Sequence, residues 1–575
     1  MAEDREHILL GGYAAKQCPV RAQNDYSPLV PTQEWVPPPE VQARLDAGNA
    51  FERAVFGELI AIHPTAVAVE PQLRQAGAIA ATVHAMESGA PLVLGGWLPD
   101  DVAGGRKGRP DLLVKAAGGY LPADVKHHLT VKPASTTTAV MSAAASPDTW
   151  CEVHGWTAAT PHRYEDGMQL AHYTRMLQAC GHHPGPEMLR GAVLGTNQVA
   201  VTPADSPGLV FVWHDLAEPL VETFSRSRGK ARRSLLERYD HEHAFRVKVA
   251  ETSCCITGSD ADPRPLVEPI GQVECGTCPY EQWCVEQMGP HDPSAAITIG
   301  RLGTREWLTL RGMGVTTTEA LSMLDPDDPA FFDEYIVEVS HLTAENARKR
   351  LAAAIERAEM ICHGVYLKRN DDGPVEVPVG DVEIDVDVEY DLDNRVYMWG
   401  VRVRRGTDDS SAQYTADFTD WEPLDDHAER ALAARFEAWL RAQRTAADAA
   451  GATLRVFHWS HPERSKLHSI LGTTEVGDLT DPDTGVFVDV EKVFKANFTS
   501  LHGSSIKKVG PLFGFTWRVD DPGGAISQTY LSKIHTSADP HEVAAAKAWL
   551  LSYNEDDNAA MAAIRDGMRT WKSGV

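Results

Sequence analysis

Cys275, Cys278 and Cys284 stand in one tight run, C-G-T-C-P-Y-E-Q-W-C, and Cys18 stands alone near the N-terminus. Thiols at this spacing suit a soft metal or an iron–sulfur cluster better than packing. The run also holds Gly, Pro, Glu and Gln, so it buries little apolar area by itself and needs a staple. Between the cysteines lie Asp111, in G-R-P-D-L-L-V, and the pair Asp124 and Lys126, in Y-L-P-A-D-V-K. Two carboxylates and a lysine on adjacent strands suit a divalent cation and an attacking water. Asp124 and Lys126 are two apart and share a strand face, with Val125 turned into the core. Taken alone, D-x-K is equally a solvated strand edge carrying an ion pair.

A second acidic set lies in the C-terminal third. In I-D-V-D-V-E-Y, Asp387 and Glu389 share one strand face, and Y-N-E-D-D-N-A-A places Asp556 and Asp557 on a late helix. Tyr553 precedes Asp557 by four residues, one helical turn. A strand D-x-E, a middle acid and a late helix Asp are what a two-metal site asks for. Glu463, in H-P-E-R, and Asp489, in F-V-D-V, are the two choices for the middle acid. The competing interpretation is a solvated acidic edge strand, most credible for Asp385 and Asp391.

The elements that must position these residues are those of an α/β chain in several domains. Residues 1–290 read as one α/β unit. A helix over 41–61 carries Glu52, and three short apolar strands end in P-D-L-L-V-K and G-Y-L-P-A-D-V-K. Residues 131–165 are expected as a loop. A helix over 166–180 puts Gln169 and Tyr173 on one face, strands return at A-V-L-G and L-V-F-V-W, and a basic helix carries Arg226, Arg228, Lys230, Arg232 and Arg233. Residues 291–365 form a helical connector in which L-T-L-R-G-M-G-V-T-T-T-E-A-L suggests either a helix-hairpin-helix holding a backbone phosphate or a plain helical turn. Residues 366–380 read as a linker. Residues 381–575 form a second α/β unit, with a helix around 427–449 and a last helix from Asn554.

At 575 residues the chain exceeds a single core. Its net charge of −27 argues against coating nucleic acid by bulk charge, though a local basic strip can still release counterions. The N-terminus lacks a basic region followed by an apolar run, and no stretch is long enough to span a bilayer. The expectation is a cytoplasmic protein with no membrane partner, whose cysteines serve metal ligation more than disulfides. Cys151, Cys180, Cys254, Cys255 and Cys362 read as small buried or neutral residues. There is no G-x-x-x-x-G-K-[ST] run, so the chain is not itself a helicase, and no nucleotide-binding glycine loop supports a redox enzyme.

G-R-P-D and D-V-K followed by Q-L-A-H-Y resemble the PD-(D/E)XK nucleases of the RecB type. The resemblance implies a restriction-endonuclease-like domain with Asp111, Asp124 and Lys126 as its catalytic core, and Gln169 and Tyr173 as its Q-x-x-x-Y motif. Mg²⁺ or Mn²⁺ would sit on Asp111 and Asp124. Where that family carries a Gly-x-x-x-His helix motif, G-N-A-F-E offers Glu52 instead. The cysteine pattern resembles the cluster site of iron–sulfur nucleases, among them CRISPR-associated RecB-like exonucleases and the AddB-type subunit of helicase–nucleases. It implies a [4Fe–4S] cluster on Cys18, Cys275, Cys278 and Cys284. Zinc is the rival for four thiolates, although this one-plus-three arrangement lacks the paired knuckles of a zinc ribbon.

The second acidic set resembles the DEDD exonucleases of the RNase H-like fold. Asp387, Glu389, Tyr553 and Asp557 match its first and last motifs. I-K-K-V-G-P-L-F-G-F resembles its S-L-K segment, with Lys507 or Lys508 toward phosphate, and the middle motif departs from the pattern. Together the resemblances imply a metal-dependent DNA exonuclease acting on single strands or ends in repair, recombination or defence, with a helicase as partner class. The alternative is a nucleic-acid-binding scaffold subunit whose sites have decayed.

Overall fold

The computed structural model describes residues 7–31, 35–225, 229–481, 484–520 and 522–571. The fold is mixed α/β in two units. One consists of Met1–Ala295, Leu302–Gly314 and Asp327–Lys349, the other of Ala296–Arg301, Val315–Pro326 and Arg350–Val575. Segment 291–365 is helical, as its composition suggests, but its residues are divided between the two units instead of standing apart as a connector.

The first unit is organised by one sheet. Its strands are β1 (Val67–Ala68), β2 (Leu92–Leu94), β3 (Leu112–Ala116), β4 (Gly119–Val125), β5 (Val131–Ala143), β6 (Cys151–Ala158), β7 (Arg190–Val199) and β8 (Gly208–Asp215). They lie in the order β1-β2-β3-β4-β7-β8-β5-β6. β4 is therefore interior, antiparallel to β3 and parallel to β7. Alternation divides its side chains between two layers. Leu121, Ala123 and Val125 join Leu112 and Val114 against Val55 and Leu59 of the helix Pro39–Ile62. Tyr120 and Leu113 face the other way, onto Tyr173, Met176 and Leu177 of the helix Thr160–Ala179. Asp124, in phase with Tyr120, points into that second layer. Gly108 makes the approach possible, because a Cβ there would lie 2.8 Å from the Tyr173 ring.

Further expectations need correction. Residues 131–165 are not a loop: β5 and β6 form a long antiparallel pair. The β-branched and aromatic content of T-T-T-A-V-M and E-V-H-G-W-T favours strand over coil. The basic segment is not a helix either. Arg226 and Arg228 lie outside the described residues, and Lys230, Arg232 and Arg233 sit on β10 (Gly229–Arg233), paired with β9 (Val221–Ser225). The helix begins only at Leu235, because Ser234 and Glu237 form a reciprocal capping box. Finally, Cys151, Cys255 and Cys362 are exposed, not buried.

The second unit holds β11 (Leu367–Arg369), β12 (Val382–Tyr390), β13 (Val396–Arg405), β14 (Asp408–Thr419), β15 (Leu454–His458), β16 (Phe487–Asp489) and β17 (Phe498–Ser500). The main sheet runs β14-β13-β12-β15-β16. β12 to β14 are antiparallel, and β15 and β16 are parallel to β12. β12 is thus the central strand and not a solvated edge; Asp385 on it is fully buried. The expected linker contributes β11, which pairs with β17. The last helix runs Pro540–Arg569, so Asn554 lies mid-helix. Asp539 caps its start with a side-chain acceptor ahead of Pro540.

Candidate functional site

In the first unit, β3, β4 and the helix Thr160–Ala179 bring their polar ends together. Asp111, just ahead of β3, accepts the Val125 N–H at 2.8 Å. Asp124 is fully buried, and neither of its carboxylate oxygens accepts a hydrogen bond. The Lys126 ammonium stands 3.3 Å from Asp124 as an ion pair and donates to Gln169 Oε1 at 3.2 Å. Gln169 in turn faces the Tyr173 hydroxyl at 3.2 Å. Glu52, on the helix of the opposite layer, acts on Asp111 more weakly than Asp124 does. Asp111, Asp124, Lys126, Gln169 and Tyr173, which sequence spacing singles out, thus lie together, with Glu52 outside the group. Buried carboxylate oxygens with one ion pair and no hydrogen bond are incompletely satisfied and fit a hard divalent cation.

The electrostatics agree. Burial and then the Asp124 charge push the Asp111 carboxyl up to about 7. Burial opposes the Lys126 charge, but Asp124, Tyr13 and Asp111 outweigh it and raise its value.

Four residues of this pocket escape a sequence reading. Tyr13 lies with its ring centroid 4.4 Å from the Lys16 ammonium and 5.9 Å from that of Lys126. Lys16 is pushed down to about 8 by burial and by Lys126. His128, two residues past Lys126, meets Asp166 at 3.2 Å, three residues before Gln169. Asp166 and His128 carry a legible signal, the continued period of two and of one helical turn. Tyr13 and Lys16 carry none, because only the fold returns the N-terminal segment to the site.

The four cysteines, Cys18, Cys275, Cys278 and Cys284, line one small and largely apolar cavity with Val20, Pro269 and Ile270. Gln272 N–H donates to Cys275 Sγ at 3.3 Å and Asn24 Nδ2 to Cys284 Sγ at 3.5 Å. Burial pushes Cys18 up to about 12 and Cys284 up to about 11. A thiolate set of this kind needs cationic charge among the sulfurs before it ionises. Among the described residues, the one set of three or more ligating groups with atoms all within 4.8 Å is elsewhere, in the second unit. The sulfurs are thus spread wider than the roughly 3.8 Å edge of a zinc tetrathiolate with Zn–S near 2.3 Å.

That set is Asp387, Glu389 and Asp557. β12 explains it. Glu383, Asp385, Asp387 and Glu389 alternate along one face, and the residues opposite them on β13 are Arg404, Arg402, Gly400 and Met398. The first two acids are neutralised: Glu383 by Arg404 at 2.6 Å and Arg569 at 2.7 Å, Asp385 by Arg565 and by Arg402 at 3.4 Å. The second two meet no guanidinium among the described residues. Asn554 Nδ2 donates to Asp387 at 2.7 Å, its own Oδ1 held by the Tyr414 hydroxyl at 2.9 Å. Gly400 leaves room for this, since a Cβ there would overlap Asn554. Asp557 accepts from Trp517 Nε1 at 2.7 Å and pairs with Lys507. Tyr553, a turn earlier, also hydrogen-bonds it. Asn554 and Trp517 are further residues that motif matching passes over.

Of the two middle acids, Glu463 is buried beside His458 at 3.4 Å and its charge acts on Asp387. Asp489 instead caps the helix Val490–Asn497 through the Lys492 N–H. Lys508 is exposed. Of the basic hairpin, Lys230 pairs with Glu222 and Arg233 with Glu237, both on the surface.

Burial, then Asp557, pushes Glu389 up to about 8, and Asp387 is raised by burial, Asp557 and Glu389. A folded carboxyl raised above its unfolded value binds a proton that the unfolded chain has released, so the stability it lends in acid is lost as pH rises through the folded value. Buried His172 and His243, depressed by burial, act the opposite way, but only below the ordinary histidine range near 6.5. In a divalent-cation chelator, thermal unfolding is therefore expected at lower temperature at about pH 8.5 than at about pH 6.5. Mn²⁺ should close the gap by binding the ionised carboxylates. Equal midpoints in chelator would show that neither acid set titrates this way.

No helix among the described residues is long and apolar enough to cross a membrane. Comparison with family models, curated proteins and solved structures returns no match for this chain.

Proposed function

We propose that this chain is a metal-dependent DNA nuclease, an exonuclease working on single strands or ends, with a RecB-like PD-(D/E)XK site in its first unit. The observation that carries the proposal is Asp124, fully buried with neither oxygen hydrogen-bonded and Lys126 at 3.3 Å as its ion-pair partner, beside Asp111. A solvated strand edge would not bury on an interior strand a carboxylate that accepts no hydrogen bond and has a single ammonium beside it. Asp111 and Asp124 would hold Mg²⁺ or Mn²⁺, which would supply Lewis acidity and a nucleophile made from water. Lys126, held by Gln169, places a cation where charge grows on the phosphate. Burial and Asp124 raise the Asp111 carboxyl, and a bound cation would favour its ionised form.

The strand order of the second unit, with three antiparallel strands followed by two parallel ones on the β12 side, supports an RNase H-like fold. Asp387, Glu389 and Asp557 supply a second cation site, with Glu463 as the outlying acid. For the cysteines we favour a [4Fe–4S] cluster over zinc, on the wide spacing of the sulfurs.

End-labelled single-stranded DNA incubated with the purified chain and Mn²⁺ is expected to shorten progressively. Binding without any cutting would transfer support to the non-catalytic scaffold. Anaerobically purified protein is expected to be brown, with a broad visible absorption that Cys18→Ser removes; colourless protein containing stoichiometric zinc would overturn the cluster assignment.

A further inference from the structure

An open cavity of about 510 Å³ lies beside the first centre, a size ordinary for a small-molecule or nucleotide site. Tyr13 forms part of its wall and is 48 % exposed. The Lys16 and Lys126 ammoniums lie 4.4 Å and 5.9 Å from the centroid of that ring, so this wall of the cavity neighbours the lysine that pairs with Asp124. Arg21 and Lys107 line the same cavity, and neither makes an ion pair among the described residues. The one carboxylate in the wall, Asp25, is engaged by the Tyr280 hydroxyl at 2.6 Å. In a chain of net charge −27, unpaired cations and an exposed aromatic ring in one cavity call for an anion with a flat apolar face.

We propose that this cavity binds one nucleotide of a single strand, adjoining the phosphate held at the Asp111–Asp124 centre. The base stacks on Tyr13, and the backbone phosphate is met by Arg21 and Lys107. Stacking on a side-chain ring requires an unpaired base, whose faces are free, and is tolerant of sequence. A duplex has its base faces covered, so the cavity selects single-stranded ends. The position of the reacting phosphate rests on the nuclease proposal above; the cavity's own chemistry does not.

The test is binding, not turnover. Fluorescence anisotropy of a labelled oligothymidine of about ten nucleotides is measured in a divalent-cation chelator across a range of salt. Tyr13→Ala is expected to weaken binding about tenfold, with the salt slope unchanged, and Tyr13→Phe to bind as wild type. Arg21→Ala with Lys107→Ala is expected to flatten the slope of log K against log salt by about 0.7, one single-strand phosphate no longer neutralised. Arg21→Lys with Lys107→Arg should retain the slope. Wild type that does not bind, Tyr13→Ala that binds equally, or an unchanged slope in the double alanine variant would each overturn the inference. The two proposals fail separately. A wild type that cuts DNA while these variants bind normally removes the cavity and keeps the nuclease. Variants that behave as expected in a protein that never cuts keep the cavity and remove the nuclease.

Discussion

Asp124→Asn is expected to lower phosphodiester cleavage by about 10³-fold or more, the scale of losing a cation that contributes several kcal/mol to the transition state. The substitution is isosteric, so the surrounding packing of β4 and the helix Thr160–Ala179 is kept. What changes is charge. Lys126 loses the carboxylate 3.3 Å away, and the pocket loses one of its two anionic ligands. DNA binding in chelator should survive, because the cations that meet phosphate are untouched. The measurement is the initial rate on an end-labelled single strand with Mn²⁺, beside the matching Asp557→Asn variant. If Asp124→Asn cuts within tenfold of wild type while Asp557→Asn does not cut, the chemistry belongs to the second unit and the first centre is structural.

The parts of this arrangement that were legible in the sequence are those governed by short periods. A spacing of two puts Asp124 and Lys126 on one face, and a spacing of four puts Gln169 and Tyr173 on one helix stripe; all four meet in the folded chain. The arginine ladder opposite β12 was equally legible in V-R-V-R-R, once β12 and β13 are taken as a hairpin with Glu383 opposite Arg404. It separates the acids that are charge-balanced from those that are not. The start of the helix at Leu235 was written in S-L-L-E, a capping box set behind a basic run whose charge drew attention away from it. Tyr13 and Lys16 were not legible. Their role depends on a contact spanning more than a hundred residues, and no local pattern specifies such a closure. β5 and β6 were obscured because small polar residues dilute the alternation on their exposed face.

Arg565→Met is the substitution expected to cost the second unit most stability, about 3–5 kcal/mol for breaking a buried ion network from one side. Arg565 is fully buried. Its guanidinium bonds Asp385, lies 3.1 Å from Glu383, and stacks 4.0 Å from the Phe457 ring centroid. Methionine keeps an apolar stem over Phe457 and removes only the charge. Glu383 and Asp385, both fully buried, then share Arg404, Arg569 and the more distant Arg402. The unfolding transition of this unit should fall by about 6–20 °C. The effect has a pH signature. Burial works to raise Glu383, but Arg569, Arg565 and Arg404 outweigh it and hold the carboxyl below its usual range. A depressed carboxyl lends stability above its unfolded value that is lost as pH falls through the folded one. The deficit of the variant should therefore be complete at neutral pH and narrow in acid. Adding Asp385→Leu to Arg565→Met should recover part of the loss, because the two residues are coupled and their effects are not additive. A variant that unfolds within about 2 °C of wild type at neutral pH would mean that water, and not Arg565, balances these acids. The separation of neutralised from free acids along β12, on which the second cation site depends, would then fail with it.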